Sequence, residues 1–253
     1  MTEQLIEELN NLKISTNTLY NGDCIEVMKE NIDDKSVNLI LCDLPYGITH
    51  NKWDKMIPFD DLWKEYKRIL APNGNIVLFG CGLFTPRMIC SNEKMFRYTL
   101  VWEKNIFSDW FSCKKKPLRK HEDIVIFSNK YPTYNVQYEE GEPYQRTYTK
   151  KKSDNYRINS KKDFTKEIKN DGKRYPGTVL KFNRVHKPIH PTEKPQDLLR
   201  WLIRAYSNEN DTVLDNCMGC GSAGIASKQE NRNFIGIELD DNYFNIAKER
   251  INN

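Results

Sequence analysis

The stretch VLDNCMGCGSAG, residues 213–224, carries the strongest indication of the fold. Gly219, Gly221 and Gly224 have the spacing G-x-G-x-x-G, after an apolar segment typical of a strand and before a predicted helix. Such glycines let the backbone approach a ligand, and Glu238, 19 residues after Gly219, can accept hydrogen bonds from both hydroxyls of a ribose. The pattern predicts a nucleoside-binding site. The alternative is a tight strand-to-helix turn with an ordinary surface glutamate.

On either side of this stretch, strand patterns alternate with helix patterns. Residues 37–42 (VNLILC) and 75–80 (NIVLFG) are short, continuously apolar runs, typical of buried parallel strands. Further strands are predicted at 96–102, 123–127, 212–214 and 234–238, and helices at 1–13, 58–70, from Pro195 onward, at 222–230 and up to Ile251. This alternation predicts an α/β domain with a mainly parallel sheet.

Composition narrows the class of protein. The 253 residues suit one large domain with an insertion, and a charged fraction of 29% indicates a chain that dissolves in water. No apolar run approaches the ~18 residues of a membrane span, and the acidic, amphipathic N-terminus is unlike a signal peptide. These features exclude a secreted or membrane protein, and the seven scattered cysteines fit reduced cytosolic thiols.

Charge is unevenly distributed along the chain. Residues 146–187 contain 14 Lys and Arg against 4 Asp and Glu, interleaved with aromatic residues, although the net charge of the whole chain is only +4. The regular pattern fades over residues 131–185, which we interpret as an inserted subdomain. Basic residues among aromatics suit nucleic acid, whereas the alternative is a solvated lysine-rich surface. The candidate DNA-binding residues, including a separate cluster at 114–120, are Lys114, Lys115, Lys116, Arg119, Lys150, Lys151, Lys152, Arg157, Lys161, Lys162 and Arg174.

A second loop, Asp43-Leu44-Pro45-Tyr46, follows the predicted strand at 37–42. Ligands of open α/β sheets bind at the carboxyl ends of the strands. The exocyclic amine of a planar base needs two acceptors for its hydrogens and a ring on which the base can stack. The carboxylate of Asp43 and the main-chain carbonyl of Leu44 can be the acceptors, and Tyr46 can be the ring. The alternative is a strand followed by a Pro-Tyr-Gly turn.

Metal chemistry is not indicated by the sequence. Cys217 and Cys220 form a C-x-x-C pair, but neither a second ligand pair nor a thioredoxin-like setting accompanies it. His186 and His190 are four residues apart, and Pro188 between them opposes a shared helical face. We therefore predict no metal site.

These motifs together identify a family resemblance that covers nearly the whole chain. Asp43-Leu44-Pro45-Tyr46 resembles the D-P-P-Y motif of amino-group DNA methyltransferases, which use S-adenosylmethionine, and residues 215–224 resemble their D-P-F-x-G-S-G-T loop. Residues 21–24 (NGDC), 47–54, 121–124 (HEDI) and 190–195 (HPTEKP) resemble further family segments. With the catalytic loop first, the basic region next and the cofactor loop last, the order resembles the circularly permuted β class.

The resemblance implies a Rossmann-like fold with a mainly parallel seven-stranded sheet and helices on both faces. It divides the chain into a catalytic half at 1–130, a target-recognition insertion at 131–185 and a cofactor-binding half at 186–253. The implied catalytic residues are Asp43, Leu44, Pro45 and Tyr46. The implied cofactor-binding residues are Asp23, Cys24, Thr192, Lys194, Asp215, Cys217, Gly219, Gly221, Ser222, Glu238 and Leu239. Asp23 is implied near the adenine of the cofactor, Glu238 at its ribose, and Thr192 and Lys194 at its carboxylate end.

Departures from the family pattern affect the expected substrate and cofactor contacts. Leu44 replaces a proline whose role is a main-chain carbonyl, and Asn216, Cys217 and Cys220 replace Pro, Phe and Ser. Asp43, rather than a serine, favours adenine N6 over cytosine N4. The resemblance also implies duplex DNA as the partner, a monomer or homodimer, a cognate restriction nuclease, and the cytoplasm of a bacterial or phage-infected cell.

Other functions fit parts of the sequence. A cytosine N4 methyltransferase would use the same loops, as would an enzyme acting on an amine of RNA or protein. A nicotinamide dehydrogenase fits the glycine spacing, but only 29 residues follow Gly224, and such an enzyme has no use for the Asp43–Tyr46 loop. An inactive nucleic-acid-binding relative is disfavoured because Asp43, Tyr46 and Glu238 are all present.

Overall fold

The computed structural model of the chain describes residues 17–47, 55–129, 132–150 and 164–252, with only the backbone of Lys150 and Phe164. The described residues form two units, one up to Asn135 and from Thr178 onward, the other Val136–Gly177. Several predictions lie outside the described residues: the helix at 1–13, the loop segment 48–54, and the side chains of Lys150, Lys151, Lys152, Arg157, Lys161 and Lys162.

One eight-stranded sheet forms the centre of the first unit, in the order β1-β12-β11-β2-β3-β5-β4-β10. The strands of the chain are β1 (Asn17–Asn21), β2 (Val37–Cys42), β3 (Leu70–Gly80), β4 (Phe96–Ser108), β5 (Arg119–Ser128), β6 (Glu139–Glu140), β7 (Tyr144–Lys150), β8 (Phe164–Asn170), β9 (Lys173–Arg174), β10 (Val179–Lys181), β11 (Thr212–Asp215) and β12 (Asn233–Glu238). Only β5 runs antiparallel to its neighbours in this sheet. The predicted α/β fold with a mainly parallel sheet is confirmed.

The expected seven strands were wrong by one, because β10 adds an eighth at the edge. β10 is three residues long, pairs parallel with β4 and buries only the side chain of Leu180. A segment that short has no readable alternation, and it lies within the basic stretch that the sequence grouped with the insertion. Residues 178–185 therefore belong to the first unit.

Helices cover both faces of the sheet, as expected. They are α1 (Cys24–Asn31), α2 (Phe59–Ile69), α3 (Phe84–Ser91), α4 (Gln196–Tyr206), α5 (Ser222–Gln229) and α6 (Asp241–Asn252). In β3, Ile76 and Leu78 pack in the core with α1, α2 and α3, whereas Val77 and Phe79 pack in the core with α4, α5 and α6. This alternation follows from the two-residue period of a strand and produces one apolar layer on each face. Among the described helices, none has the length and apolar character needed to cross a bilayer.

Four elements of the first unit escaped the sequence analysis: β1, α1, α3 and β10. β1 is a half-exposed edge strand, so it lacks the apolar run of the central strands. Pro72, Asn73 and Gly74, residue types that favour a turn, lie inside β3, where the pairing with β2 shifts between Val37 and Leu39. The irregular register accommodates the proline within one continuous strand.

The second unit, over its described residues, consists of two antiparallel ladders. β6 pairs with β9, and β7 pairs with β8. Arg174 holds this unit together: its guanidinium donates to the Asn170 side chain and the Glu142 carbonyl and lies 4.8 Å from the centre of the Tyr144 ring. The predicted contact of Arg174 with DNA stays a prediction.

Candidate active site

The carboxyl ends of β2, β11 and β12 meet at a cavity of about 580 Å³ in the first unit. Asp43 follows β2, Asp215 ends β11 and Glu238 ends β12. Because these strands are parallel, their carboxyl ends share one edge of the sheet, where open α/β folds bind ligands. The volume falls within the roughly 300–1,000 Å³ of small-molecule sites.

All but one of the predicted catalytic and cofactor-binding residues line this cavity. The catalytic candidates Asp43, Leu44, Pro45 and Tyr46 all do so. The cofactor candidates on its wall are Asp23, Cys24, Thr192, Lys194, Asp215, Cys217, Gly219, Ser222, Glu238 and Leu239. Two loops that are 170 residues apart in sequence are thus parts of one site.

Gly221 is the exception, and its predicted contact with a cofactor stays a prediction. It lies outside the cavity lining, with a φ of +81°, and a Cβ at this position would approach Ala247 and Ile251 of α6 to 3.0 Å. Glycine is needed here for the left-handed turn and for close packing against α6.

Glu238 is fixed by two backbone donors. The N–H of Gly219 donates to Oε2 and the N–H of Asp240 donates to Oε1, each at 2.8 Å. These bonds tie the end of β12 to the glycine loop. Burial raises the pKa of Glu238, against the lowering effect of the two N–H donors. Each carboxylate oxygen keeps a lone pair that can accept a hydroxyl donor.

Asp23 lies at the start of α1. Its Oδ1 accepts hydrogen bonds from the N–H groups of Ile25 at 2.9 Å and Glu26 at 3.2 Å. This is the bonding of a helix N-cap, so Asp23 positions α1 at the cavity wall. Its predicted place near the adenine of a cofactor stays a prediction.

The carboxylate of Asp43 already has two donors in this structure. The Tyr46 hydroxyl donates to Oδ1 at 2.6 Å, and the Lys194 ammonium donates to Oδ2. The Tyr46 ring rests against Phe84, with 4.6 Å between ring centres. Lys194 also donates to the Thr192 carbonyl at 3.2 Å.

Lys194 is paired with two carboxylates in this structure, and its predicted place at the carboxylate end of a cofactor stays a prediction. Its side chain is only 8% exposed, and a buried ammonium needs a carboxylate partner. Burial lowers the pKa of Lys194, but Asp43 and Glu122 outweigh burial and raise it above its usual value. Lys194 is therefore a buried cation shared by two carboxylates.

Glu122 and Lys104 continue this charge pattern, and the sequence analysis missed both as site residues. Lys104 donates to Oε1 of Glu122, and Oε2 lies 3.5 Å from the Lys194 Nζ. Burial opposes ionisation of Glu122, but Lys194 and Lys104 hold its pKa below the usual value. The sequence does contain an indication of their role: both are charged residues in strands, β4 and β5, that also carry long apolar runs, and charged residues are unusual in buried strands.

Asp215 is the most strongly perturbed carboxyl group on the wall. Burial raises its pKa to about 7; hydrogen bonds from the Cys217 N–H and the Cys42 thiol act in the opposite direction, and the charges of Asp43 and Glu238 raise it further. The Cys217 N–H donates to Asp215 Oδ1 at 3.1 Å. A group that titrates near neutrality in a cavity is typical of functional sites.

The thiols beside Asp215 are poor nucleophiles. Cys217 forms side-chain hydrogen bonds with Cys24 and Cys42, and the pKa of Cys217 lies well above the usual value because Cys42 and burial raise it. The thiolate is the reactive form of cysteine, so these groups are chemically inert near neutral pH. Over the described ranges, no set of three or more His, Cys, Asp or Glu side chains is arranged to hold a metal ion.

The β4–β5 hairpin brings basic and aromatic side chains to the cavity. Arg119 lines the cavity and forms an ion pair with Asp109 at 2.7 Å. At the tip, residues 114–116 are exposed lysines, the Trp110 side chain is 59% exposed, and that of Phe111 is fully exposed. Exposed lysines and aromatic rings together suit the phosphates and bases of nucleic acid.

Comparison with known proteins assigns this site to a family. The N6_N4_Mtase family model, described as DNA methylase, matches residues 37–249. The chain is 28% identical to the Type II methyltransferase M1.MboII of Moraxella bovis, over 94% of this chain and 98% of that protein. It is 27% identical to the DNA adenine methyltransferase YhdJ of Escherichia coli K12, over 92% and 82%.

Solved structures show the same fold. The M1.HpyAVI–SAM complex superposes with a TM-score of 0.64 at 24% identity, covering 93% of this chain and all of that chain. The PvuII DNA methyltransferase, which is cytosine-N4-specific, gives a TM-score of 0.68 at 15% identity, covering 93% and 86%. Since the family model spans most of the sequence and the site residues line one cavity, the chain belongs to the N6/N4 family of DNA methylases.

Proposed function

We propose that this protein transfers a methyl group from S-adenosylmethionine to the N6 amine of an adenine that has been flipped out of duplex DNA. One observation carries the proposal: Asp43, Leu44 and Tyr46 share a single cavity with the glycine loop and Glu238. Acceptors for an amine and acceptors for a ribose thus lie on the walls of one space.

The residues present fit S-adenosylmethionine. Glu238 keeps free lone pairs for the ribose hydroxyls, and the ionisable carboxyl of Asp215 suits a cationic ligand. When bound, the cofactor supplies a methyl group on a positively charged sulfur, and the sulfur keeps the electron pair of the broken bond. No metal ion and no covalent intermediate with the protein are needed.

Asp43, Leu44 and Tyr46 prepare the amine. The Asp43 carboxylate and the Leu44 carbonyl accept hydrogen bonds from its two N–H groups. These bonds draw the nitrogen toward tetrahedral geometry and free its lone pair. Tyr46, supported by Phe84, stacks on the base and offsets part of the few kcal/mol that flipping costs. As the C–N bond forms and the C–S bond breaks, the nitrogen gives up one proton, for which Asp43 is the nearby acceptor. Alignment of lone pair and methyl group supplies catalysis by proximity.

DNA binding is assigned to two regions. The hairpin lysines at 114–116 and Arg119 contact phosphates next to the cavity, and the second unit, Val136–Gly177, recognises the target sequence. Residues 1–130 and 186–253 supply the catalytic and cofactor-binding halves. The similarity to Type II methyltransferases supports a cognate restriction nuclease as a partner and the bacterial or phage-infected cytoplasm as the place of action.

The test is transfer of a labelled methyl group to unmethylated duplex DNA, followed by nucleoside analysis. We expect N6-methyladenine from the wild type and none from Asp43→Ala, with cofactor binding retained by equilibrium dialysis. Asp60→Ala, which removes an exposed carboxylate from α2, is the matched control and keeps full activity. N4-methylcytosine would overturn the choice of base, and cofactor binding without label in DNA would overturn the choice of substrate.

A further inference from the structure

Four side chains at the catalytic loop, of which Lys194 is buried and the others are partly buried, alternate in charge: Asp43, Lys194, Glu122 and Lys104. Their side chains are 15%, 8%, 17% and 11% exposed. Within the described part of the chain, Oε2 of Glu122 is buried and has no hydrogen-bond partner, although Lys194 Nζ lies only 3.5 Å away. At this distance the two groups form an ion pair that is longer than an ordinary hydrogen bond, so Oε2 can still accept a closer approach of the Lys194 ammonium.

The pairing of Asp43 with Lys194 opposes the proposed chemistry. The target nitrogen gains positive charge as the methyl group is transferred, and an ammonium on the same carboxylate repels that charge. Lys194 cannot simply leave, because removing one partner from a buried ion pair is strongly destabilising. It needs a second carboxylate within reach.

We propose that Glu122 is a positioning residue that receives the Lys194 ammonium when the target amine binds Asp43. The inference rests on the proposed function. A movement of roughly 1 Å brings Nζ within ordinary hydrogen-bonding distance of Oε2. Lys104 holds the other oxygen of Glu122, so the carboxylate stays in place and Lys194 is the group that moves.

Glu122→Gln tests the role of the charge, because the amide keeps the shape of the side chain. Lys194 then stays on Asp43, and we expect single-turnover methyl transfer to slow by about tenfold to a hundredfold, with affinities for cofactor and DNA changed by less than about threefold. Glu122→Asp keeps the charge but moves it away from Lys194 by the length of one methylene group. Its rate of methyl transfer should therefore fall between those of the wild type and Glu122→Gln. Glu103→Gln is the matched control, since Glu103 forms its ion pair with Lys120 at 2.9 Å.

A pH profile separates positioning from a general structural role. The titratable and charged groups that face or adjoin Lys194 are Asp43 and Tyr46 of the catalytic loop, Glu122 of β5, Lys104 of β4 and His190 of its own loop. Without the Glu122 charge, Lys194 loses its proton at lower pH and releases Asp43. The Glu122→Gln rate therefore rises with pH toward the wild-type rate, whereas the wild-type rate stays flat over the same range.

Two readouts distinguish failure of this inference from failure of the proposed function. In the protein without DNA, NMR of labelled lysine, assigned with Lys194→Met, should show a lower Lys194 pKa in Glu122→Gln and no change in Glu103→Gln. An unchanged Lys194 pKa in Glu122→Gln overturns the positioning role. If Glu122 acts through Lys194, adding Glu122→Gln to Lys194→Met should not lower the rate of methyl transfer further. A further loss of rate in the double variant therefore also overturns the positioning role. Absence of DNA methylation by the wild type refutes the proposed function while the NMR result stands.

Discussion

Asp215 should make cofactor affinity depend on pH near neutrality. Its pKa is raised to about 7, chiefly by burial, and it lies on the wall of a cavity proposed to hold a cation. Raising the pH through 7 ionises the carboxylate, and ionised Asp215 attracts a positively charged ligand. The affinity for S-adenosylmethionine therefore increases with pH, because the cationic ligand binds the ionised carboxyl more tightly than the protonated one.

The size of the effect follows from this pKa. If only ionised Asp215 supports tight binding, the apparent Kd is multiplied by one plus the ratio of protonated to ionised carboxyl. That factor is about 11 at pH 6 and about 1.1 at pH 8 for a pKa of about 7. The affinity thus improves about tenfold between these values, which corresponds to about 1.4 kcal/mol.

Isothermal titration of the wild type and Asp215→Asn across this pH range measures the effect. The α-amino group of the cofactor also titrates near pH 8, and the ratio of the two affinities cancels that contribution because both proteins bind the same ligand. We expect the affinity of the wild type, divided by that of Asp215→Asn, to grow about tenfold from pH 6 to pH 8. A constant ratio, or one that shrinks as the pH rises, refutes the assignment of the titration to Asp215.

Three further predictions address stability and DNA binding. Tyr66→Phe removes the hydroxyl that donates to Asn216 Oδ1 at 2.6 Å in the core, and we expect urea unfolding to show a loss of about 1–3 kcal/mol. Gly224→Ala places a Cβ 2.5 Å from Ile251, so it should destabilise by about 1–3 kcal/mol in the same assay; an unchanged midpoint contradicts the packing argument. Replacing the lysines at 114–116 by alanine should lower the slope of log affinity for DNA against log salt by about three and leave cofactor affinity unchanged; an unchanged slope places the DNA elsewhere.

The sequence predicted the central strands and both site loops because their signals are local. Residues 37–42 and 234–238 are strands nearly as predicted, since continuous apolar runs ended by polar loops have few other stable arrangements. The cavity gathers most catalytic and cofactor candidates for a related reason: Asp43, Asp215 and Glu238 lie at the carboxyl ends of parallel strands, and such ends share one edge of the sheet.

What escaped prediction depends on contacts between distant segments. Lys194 binds Asp43, 151 residues away, and Glu122 lies between two lysines that no sequence spacing relates to it. Gly221 fits the ligand-binding spacing, yet its neighbours are Ala247 and Ile251 of a helix that packs against the loop. A motif gives the type of residue that a site needs, but the partner of a buried charge becomes known only when the strands are placed side by side.

The departures of the glycine loop from the family pattern illustrate the same dependence. Asn216, where the family has proline, accepts a hydrogen bond from Tyr66 of α2, 150 residues away. Cys217, where the family has an aromatic residue, forms side-chain hydrogen bonds with Cys24 of α1 and Cys42 of β2. Asn216 and Cys217 thus each have a partner on an element of the opposite half of the chain. Substitution of either residue by the family's own residue should therefore leave a buried donor or acceptor unpaired, so the loop tolerates its unusual composition because its surroundings match it.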